Sequence, residues 1–465
     1  MQILIDNVIT ITDPIPEVID YCEGHLVIPN PEYISKTRMG FWVGNTPKEL
    51  YLYQKKGDDL ILPFGTLREL IVLFGTKDMK VLIKSSPTFN YKGEDVPLYD
   101  YQEEAVEKLL KVHFGILQSP AGSGKTQIGI ELIKRRGEKA LWLTHTADLL
   151  NQSKARAELY MDKNLIGTIT EGKVDLGSGI TFATVQTMSK LDLSQYKDYW
   201  DTIIVDECHR VAGTPTSMTM FSKVLNSLSA KNKVGLSATV HRADGMIKAT
   251  YALLGGVVHT VPDSAVNDKI MKVGIIPRQT GIQIDRTCLN SDGTLNYAKL
   301  INFLCENNER CNLIVSDLVE NKGHSCLILS DRLEHLETML TSLPSDMMAD
   351  ACMISGKMTS KKQKAYREQC LEDMRTGKKK YLFATYSLAK EGLDIPRLDR
   401  LFLSTPQKDY AVITQSVGRV ARVFEGKTEP LVYDYVDSAG YLQKAFKKRC
   451  TTYRKIGCYF VEVNE

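Results

Sequence analysis

Ten cysteines are scattered along the chain without one C-x-x-C pair, and the nearest neighbours, Cys305/Cys311 and Cys450/Cys458, stand at no zinc spacing. A structural zinc site is therefore not expected, and unpaired thiols at this density point to a reducing compartment. No apolar run approaches the ~18 residues of a membrane span. The opening Met-Gln-Ile-Leu-Ile-Asp has no basic stretch ahead of an apolar one, so neither a signal peptide nor a membrane partner is expected. The net charge of +3 is too small to announce a nucleic acid by itself. The expectation is a soluble, cytoplasmic protein with room, in 465 residues, for about three domains.

Charge is unevenly spread. Residues 1–32 carry six acids and no Lys or Arg, whereas residues 33–92 carry ten bases and five acids. The tail, 441–465, carries six bases and two acids. In 33–92 the aromatics Tyr33, Phe41, Trp42, Tyr51 and Tyr53 mix with Lys36, Arg38, Lys55 and Lys56, a pattern compatible with DNA contact or with a half-buried sheet and its solvated rim. Residues 1–92 read as a small accessory α+β domain that contacts DNA. Its expected strands are Gln2–Ile11, Phe41-Trp-Val43, Leu50–Tyr53 and Leu60-Ile-Leu62, with a helix over Thr66–Phe74.

From residue 93 apolar strand-like runs alternate with helical stripes, the order of a parallel, doubly wound sheet. Ala140–Thr144, Ile180–Thr184, Thr202–Asp206 and Lys233–Ser237 are strands of a first lobe, 93–268. Cys326–Ser330, Met353–Ser355, Lys380–Ala384, Arg400–Leu403 and Leu431–Asp434 are strands of a second, 269–465. Only the first has a glycine-rich phosphate loop, so nucleotide is expected in the cleft between two similar lobes.

That loop lies in Phe114-Gly-Ile-Leu-Gln-Ser-Pro-Ala-Gly-Ser-Gly-Lys-Thr126. Strand, glycine loop and helix are the context in which backbone N–H groups turn round a phosphate and the helix N-terminus adds positive partial charge. Ser119, Ala121, Gly122, Ser123 and Gly124 form the cradle, Lys125 reaches the β/γ-phosphates of ATP, and Thr126 holds Mg2+. Ser119 stands where the consensus has glycine. Downstream, Ile203-Ile-Val-Asp-Glu-Cys-His209 ends a strand in two carboxylates. Asp206 is assigned to the magnesium ion and Glu207 to the attacking water.

Asp-Glu-Cys-His, followed by Ser237-Ala-Thr239, resembles motifs II and III of superfamily 2 helicases, and the rest of that set follows in order over residues 98–435. The resemblance implies two tandem RecA-like lobes and an ATP hydrolase. It implies that Gln102 reads the adenine edge and that Ser237 and Thr239 link ATP state to lobe movement. Thr144, His145 and Gln152 match motif Ia, and Thr184 and Gln186 match motif Ib. Ser330 and Arg332 match motif IV, and Thr385 lies in motif V. All of these would touch nucleic acid. Gly392 and Asp394 of motif V would meet the nucleotide, Asp394 at the ribose. In Gln415-Ser-Val-Gly-Arg-Val-Ala-Arg422, which resembles motif VI, Gln415, Arg419 and Arg422 would serve the reaction. Arg422 is the first choice for an arginine finger, an element that supplies ~10³–10⁵ in rate to phosphoryl transfer.

Asp-Glu-Cys-His and Gln415–Arg422 depart from the Asp-Glu-Ala-Asp and His-Arg-x-Gly-Arg motifs of DEAD-box RNA helicases, and the run Ser237-Ala-Thr-Val-His-Arg-Ala-Asp-Gly245 resembles that of XPB- and UvsW-like DNA helicases. The compact chain resembles phage branch-migration helicases of the UvsW-like and T5 types. The expectation is an ATP-dependent DNA helicase that remodels forks and Holliday junctions in phage replication, recombination or repair, in the host cytoplasm. A dsDNA translocase of a restriction or repair system and an RNA helicase are the alternatives. A loose nuclease pattern, Asp409 with Glu425-Gly-Lys427, reads as chance.

Overall fold

The computed structural model describes all residues except 85–88, 92, 121, 213–214, 241–244, 267–270, 357, 359, 391–392 and 462–465. Ala121, Gly392 and the Arg242-Ala-Asp244 portion of the Ser-Ala-Thr run therefore lie outside the described residues. The chain divides into two compact units, Met1–Pro262 and Asp263–Glu465.

In the first unit an eight-stranded sheet runs in the order Lys173–Asp175, Ile166–Thr170, Ile180–Thr184, Ala140–Thr144, Thr202–Asp206, Asn232–Ser237, Phe114–Gln118, Val257–Thr260. Every pairing is parallel except that of the first two strands. Ala140–Thr144, Ile180–Thr184, Thr202–Asp206 and Asn232–Ser237 are buried along their whole length, which is why each reads as a continuous apolar run. The helices Asp100–Leu110, Lys125–Arg136, Ala147–Ala157, Pro215–Ser227 and Ile247–Leu254 connect them. The register sets Asp206 beside Leu236, Ser237 beside Gln118 and Thr184 beside Thr144. One C-terminal sheet edge thus gathers the phosphate loop, the Asp-Glu pair and the motif Ia, Ib and III turns. The strands Ile166–Thr170 and Val257–Thr260 were not anticipated; both lie towards the margins of the sheet, where side chains are half exposed and the apolar signal is weak.

Residues 1–81 build a five-stranded sheet in the order Gln54–Lys56, Asp59–Leu62, Ile9–Thr12, Gln2–Ile5, Met79–Val81, with helices Pro16–His25, Pro31–Arg38 and Leu67–Phe74. The expected single strand Gln2–Ile11 is a hairpin, Gln2–Ile5 against Ile9–Thr12. Both unanticipated helices begin on proline, whose fixed φ suits a first helical turn. Phe41-Trp-Val43 is not a strand but a turn that follows the second of them. A separate pair, Val27–Pro29 with Glu49–Tyr51, stands beside it.

These residues share a core with the P-loop lobe. Ile3, Ile5, Leu62 and Phe64 cluster with Ala252, and Phe114 packs against them. Asp6 ion-pairs with Lys197 at 2.6 Å and accepts from Ser229 Oγ at 2.6 Å. Burial opposes its ionisation, but those two partners outweigh burial and hold its carboxyl below the usual range. Lys233, fully buried in a central strand, donates to Leu225 O at 2.8 Å and Asn7 O at 3.2 Å, with its ammonium 4.8 Å from the Phe64 ring centre. Burial pushes that ammonium down to about 7 against the pull of Asp6.

The second unit is a seven-stranded, all-parallel sheet in the order Ala351–Ile354, Tyr381–Thr385, Cys326–Ser330, Arg400–Leu403, Leu431–Val436, Gly274–Gln279, Tyr459–Phe460. Two apolar layers cover its faces, one around Leu327, Leu401 and Val417, the other around Ile328, Phe402 and Tyr433. Buried charges are paired: Arg449 grips both Asp434 oxygens at 2.8 Å, and Arg310 donates to Asp437 at 2.9 Å and to Ser404 O at 2.6 Å. Ser330 lies opposite Thr385, so the motif IV and V turns leave one sheet edge side by side.

Candidate functional site

The helix Lys125–Arg136 starts from Gly124, which holds φ 78°, after Gly122 at φ 82°. That left-handed conformation is what calls for glycine at 124; a Cβ there would also push aside the Gln102 and Gln127 side-chain ends, 2.3 and 2.7 Å away. Ser119, the departure from consensus, is fully buried; its Oγ meets Ser123 Oγ at 2.5 Å and its N–H binds Ser237 O at 2.9 Å. The serine therefore ties the base of the loop to its crown and to motif III.

Gln102 is buried against the loop. Its Nε2 donates to Ser123 O at 2.8 Å and its Oε1 accepts the Tyr99 N–H at 2.9 Å. Both ends of the amide are engaged, so Gln102 braces the phosphate loop, and an adenine edge would have to replace one of these bonds. Lys125 Nζ lies 3.3 Å from Ser119 O and 3.4 Å from Pro120 O, and 4.0 Å from Glu207 Oε1. Thr126 is half-buried one residue further along the helix.

Asp206 is buried at the end of its strand, accepting from Ser153 Oγ at 3.2 Å and from the Glu207 N–H at 2.9 Å. Burial first, then the neighbouring Glu207 carboxylate, pushes its carboxyl up to about 6, against the pull of Lys125. Glu207 turns the chain with a left-handed φ of 49°. His209 Nδ1 sits 3.2 Å from Glu207 Oε2 and 3.0 Å from Ser237 Oγ, and Ser237 Oγ donates to Thr239 O at 2.7 Å. A continuous polar chain runs Lys125–Glu207–His209–Ser237–Thr239. Two carboxylates at one strand end, one of them raised by its own burial, form a donor set that suits a divalent cation. Asp206 is the residue of this pair that could hold such an ion, with Thr126 the candidate on the loop side.

Ser153 escaped the motif reading, although it follows Gln152 directly. Its signal lies in the helix Ala147–Ala157, which buries Leu150, Ser153 and Ala157. A serine in such a stripe needs a polar partner.

The residues matched to nucleic-acid contact divide. Thr144 is fully buried with its Oγ1 on Thr146 O at 3.1 Å, Thr184 is buried with its hydroxyl on Thr187 Oγ1 at 3.0 Å, and Ser330 is buried between His335 Nδ1 and the Arg332 N–H. In all three the hydroxyl is engaged in shaping its own turn. His145, Gln152, Gln186, Arg332 and Thr385 keep partial exposure. Gln186 Nε2 binds His145 O at 2.7 Å, joining motifs Ia and Ib, and Arg332 Nε donates to Asn302 at 2.8 Å. Ser330, Arg332 and Thr385 line one cavity of about 940 Å³ in the second unit.

In that unit motif VI is locked to motif V. Arg419 donates to Leu393 O at 3.2 Å, and Arg422 forms a close ion pair with Asp394. Gln415, on the same helix, Tyr410–Val420, has a buried Oε1 without a hydrogen-bond partner. Asp409 caps that helix by accepting the Val412 N–H at 3.0 Å, and Lys427 donates to Arg422 O at 2.8 Å. Asp409 and Lys427 of the nuclease-like pattern thus have structural partners. Among the described residues no cluster of His, Cys, Asp and Glu forms a further metal site, and no helix is long and apolar enough to cross a membrane.

Fold and strand-edge chemistry define a P-loop motor core of two RecA-like lobes. Residues 95–242 match the family model described as Type III restriction enzyme, res subunit, and residues 308–424 match Helicase conserved C-terminal domain. The chain is 25% identical over 373 residues to "Probable helicase D10" of Escherichia phage T5, covering 80% of this chain and 76% of that one. The DNA-bound Type ISP restriction-modification enzyme LlaBIII matches in fold with TM-score 0.56 at 16% identity, over 84% of this chain and 32% of that one. Dbp5 of S. cerevisiae bound to RNA and ADP BeF3 matches with TM-score 0.55 at 17% identity, over 78% and 90%. The chain belongs to the superfamily 2 helicases and is similar to members encoded by phages.

Proposed function

We propose that this chain is an ATP-dependent DNA helicase that remodels branched DNA, forks and Holliday junctions, during phage replication, recombination or repair in the host cytoplasm. The observation that carries the motor reading is the single sheet edge bearing Lys125, Asp206, Glu207, His209 and Ser237 in continuous contact. Lys125 would leave the Ser119 and Pro120 carbonyls for the phosphates of ATP. Asp206 and Thr126 would hold Mg2+, which supplies charge neutralisation on those phosphates. Glu207 would orient the attacking water, with His209 relaying its position to Ser237 and Thr239. Arg422, released from Asp394, together with Arg419 and Gln415, would be the second-unit residues that serve the reaction.

The DNA reading rests on the Ser237–Gly245 pattern and on the likeness to the phage T5 helicase. A restriction-type dsDNA translocase and an RNA helicase remain the second readings, the first favoured by the family model over residues 95–242 and the second by the fold shared with RNA-bound Dbp5. One comparison separates them: ATP-dependent opening of fork, Holliday junction, plain duplex and RNA duplex by the purified chain, with Lys125→Ala alongside. Branched DNA should be opened fastest, and Lys125→Ala should lose ATP turnover. Turnover in that variant, or faster opening of the RNA duplex, would reject the reading.

A further inference from the structure

The helix Pro31–Arg38 ends in a complete Schellman arrangement. Gly40, at φ 67°, donates to Thr37 O at 3.1 Å, and Phe41 donates to Lys36 O at 2.8 Å. The side chains then project into solvent: Met39 is 63% exposed, Phe41 64% and Trp42 87%. The turn that carries them is framed on both sides. Thr46 N–H binds Val43 O at 2.9 Å, Lys36 Nζ binds Thr46 Oγ1 at 2.7 Å, and Asn30 holds Pro47 O at 2.9 Å and Lys48 O at 3.0 Å. The Trp42 ring lies over Gly44, where a Cβ would come within 2.9 Å of it.

The mount is equally fixed. Ile28 of the adjoining strand pair, with Leu50 and Leu52, packs on Ala212, Met246 and Ala249. Those three residues follow the Asp206-Glu207 and Ser237-Thr239 turns in sequence. The strand pair that carries the tip is therefore anchored on the P-loop lobe, on residues that follow motifs II and III in the chain.

Two large aromatic side chains exposed next to each other form the kind of apolar patch that marks a binding site. Residues 33–48 contain Lys36, Arg38 and Lys48 and no acid. Lys36 is committed to the frame and to Glu32, leaving Arg38 and Lys48 exposed on the segment that carries the rings. Three apolar side chains fall far short of the ~800 Å² per partner of a stable protein interface. Aromatic faces flanked by cations match stacked bases and their phosphates.

We propose that Phe41 and Trp42 form a base-stacking wedge that engages unpaired DNA bases where a duplex opens. This rests on the DNA-remodelling reading above and assigns the junction contact to the N-terminal tip. The other two tryptophans, Trp142 and Trp200, are buried, so a change in solvent-exposed tryptophan emission reports Trp42. Binding is followed independently by anisotropy of labelled single-stranded DNA, forked DNA, blunt duplex and single-stranded RNA. Single-stranded and forked DNA should quench the emission, and blunt duplex should not. Trp42→Ala should abolish the quench, keep the parent melting temperature, and slow fork opening ~10-fold or more, the scale of one lost stacking contact. Trp42→Phe should restore opening.

Forked DNA that binds without quenching, or undiminished opening by Trp42→Ala, overturns the wedge. So does quenching by RNA alone, or self-association in sedimentation that Trp42→Ala removes. Quenching by DNA in a parent protein that opens no fork would reject the motor reading and leave the wedge standing.

Discussion

Asp206 sits where two negative charges share one strand end, and neutral side chains decide how that pair is held. Ser153 donates to one oxygen of Asp206, while the Glu207 N–H occupies the other. His209 spans Glu207 and Ser237 and so fixes the second carboxylate to motif III. Removing the Ser153 donor leaves a buried oxygen of Asp206 unsatisfied and lifts its carboxyl further from the ionised form that a metal needs. Ser153→Ala should raise the Mg2+ concentration for half-maximal ATPase ~10-fold, the usual scale for losing a partner of a metal-holding carboxylate. A magnesium titration at saturating ATP checks this; an unchanged midpoint would mean that Asp206 is held without Ser153. Lys125, Asp206 and Glu207 could be read from sequence because their chemistry requires fixed residue types at fixed spacing. Ser153 could not, since its partner lies fifty-three residues away and only the fold brings them together.

At the scale of elements, the same contrast separates central strands from their surroundings. Strands buried on both faces leave an apolar run that needs no context, and Ala140–Thr144, Ile180–Thr184 and Thr202–Asp206 were all legible to the residue. Phe41-Trp-Val43 misled for the opposite reason: its apolar residues serve display, not burial, and Gly40 turns the chain before a strand can form. The seam between N-terminal sheet and P-loop lobe was not legible in sequence, because its shared apolar residues, its buried lysine and its close-packed glycine are brought together only by the fold. Gly65 is that glycine. A Cβ there would lie 2.4 Å from Gly255 N and 2.5 Å from Tyr251 O, backbone atoms that cannot rotate away. Gly65→Ala should destabilise the first unit by ~1–3 kcal/mol, the cost of overpacking, and lower its thermal midpoint by several degrees. A midpoint equal to the parent's would show that the two elements slide freely past each other.

For the whole molecule, the boundary at Pro262 matters more than the change in composition near residue 92. Treated as a detachable accessory, residues 1–92 could be deleted and the P-loop fold spared. The packing argues otherwise. Deletion of residues 1–84 would expose Phe114 and Ala252 and leave the buried Lys233 without Asn7 O, Asp6 and the Phe64 ring. Lys233 would keep only Leu225 O, and the apolar face now covered by the N-terminal sheet would be open to water, at ~1.5–3 kcal/mol for each large side chain uncovered. That is a large part of a domain's total stability. Residues 1–262 expressed alone should therefore fold, whereas residues 85–262 should aggregate or melt well below it. Circular dichroism melting of the two fragments decides the matter. A cooperative transition for 85–262 at the midpoint of 1–262 would restore the detachable module. The expected outcome makes the N-terminal sheet part of the lobe, so that the exposed Trp42 tip moves with the P-loop as one rigid piece through each cycle of hydrolysis.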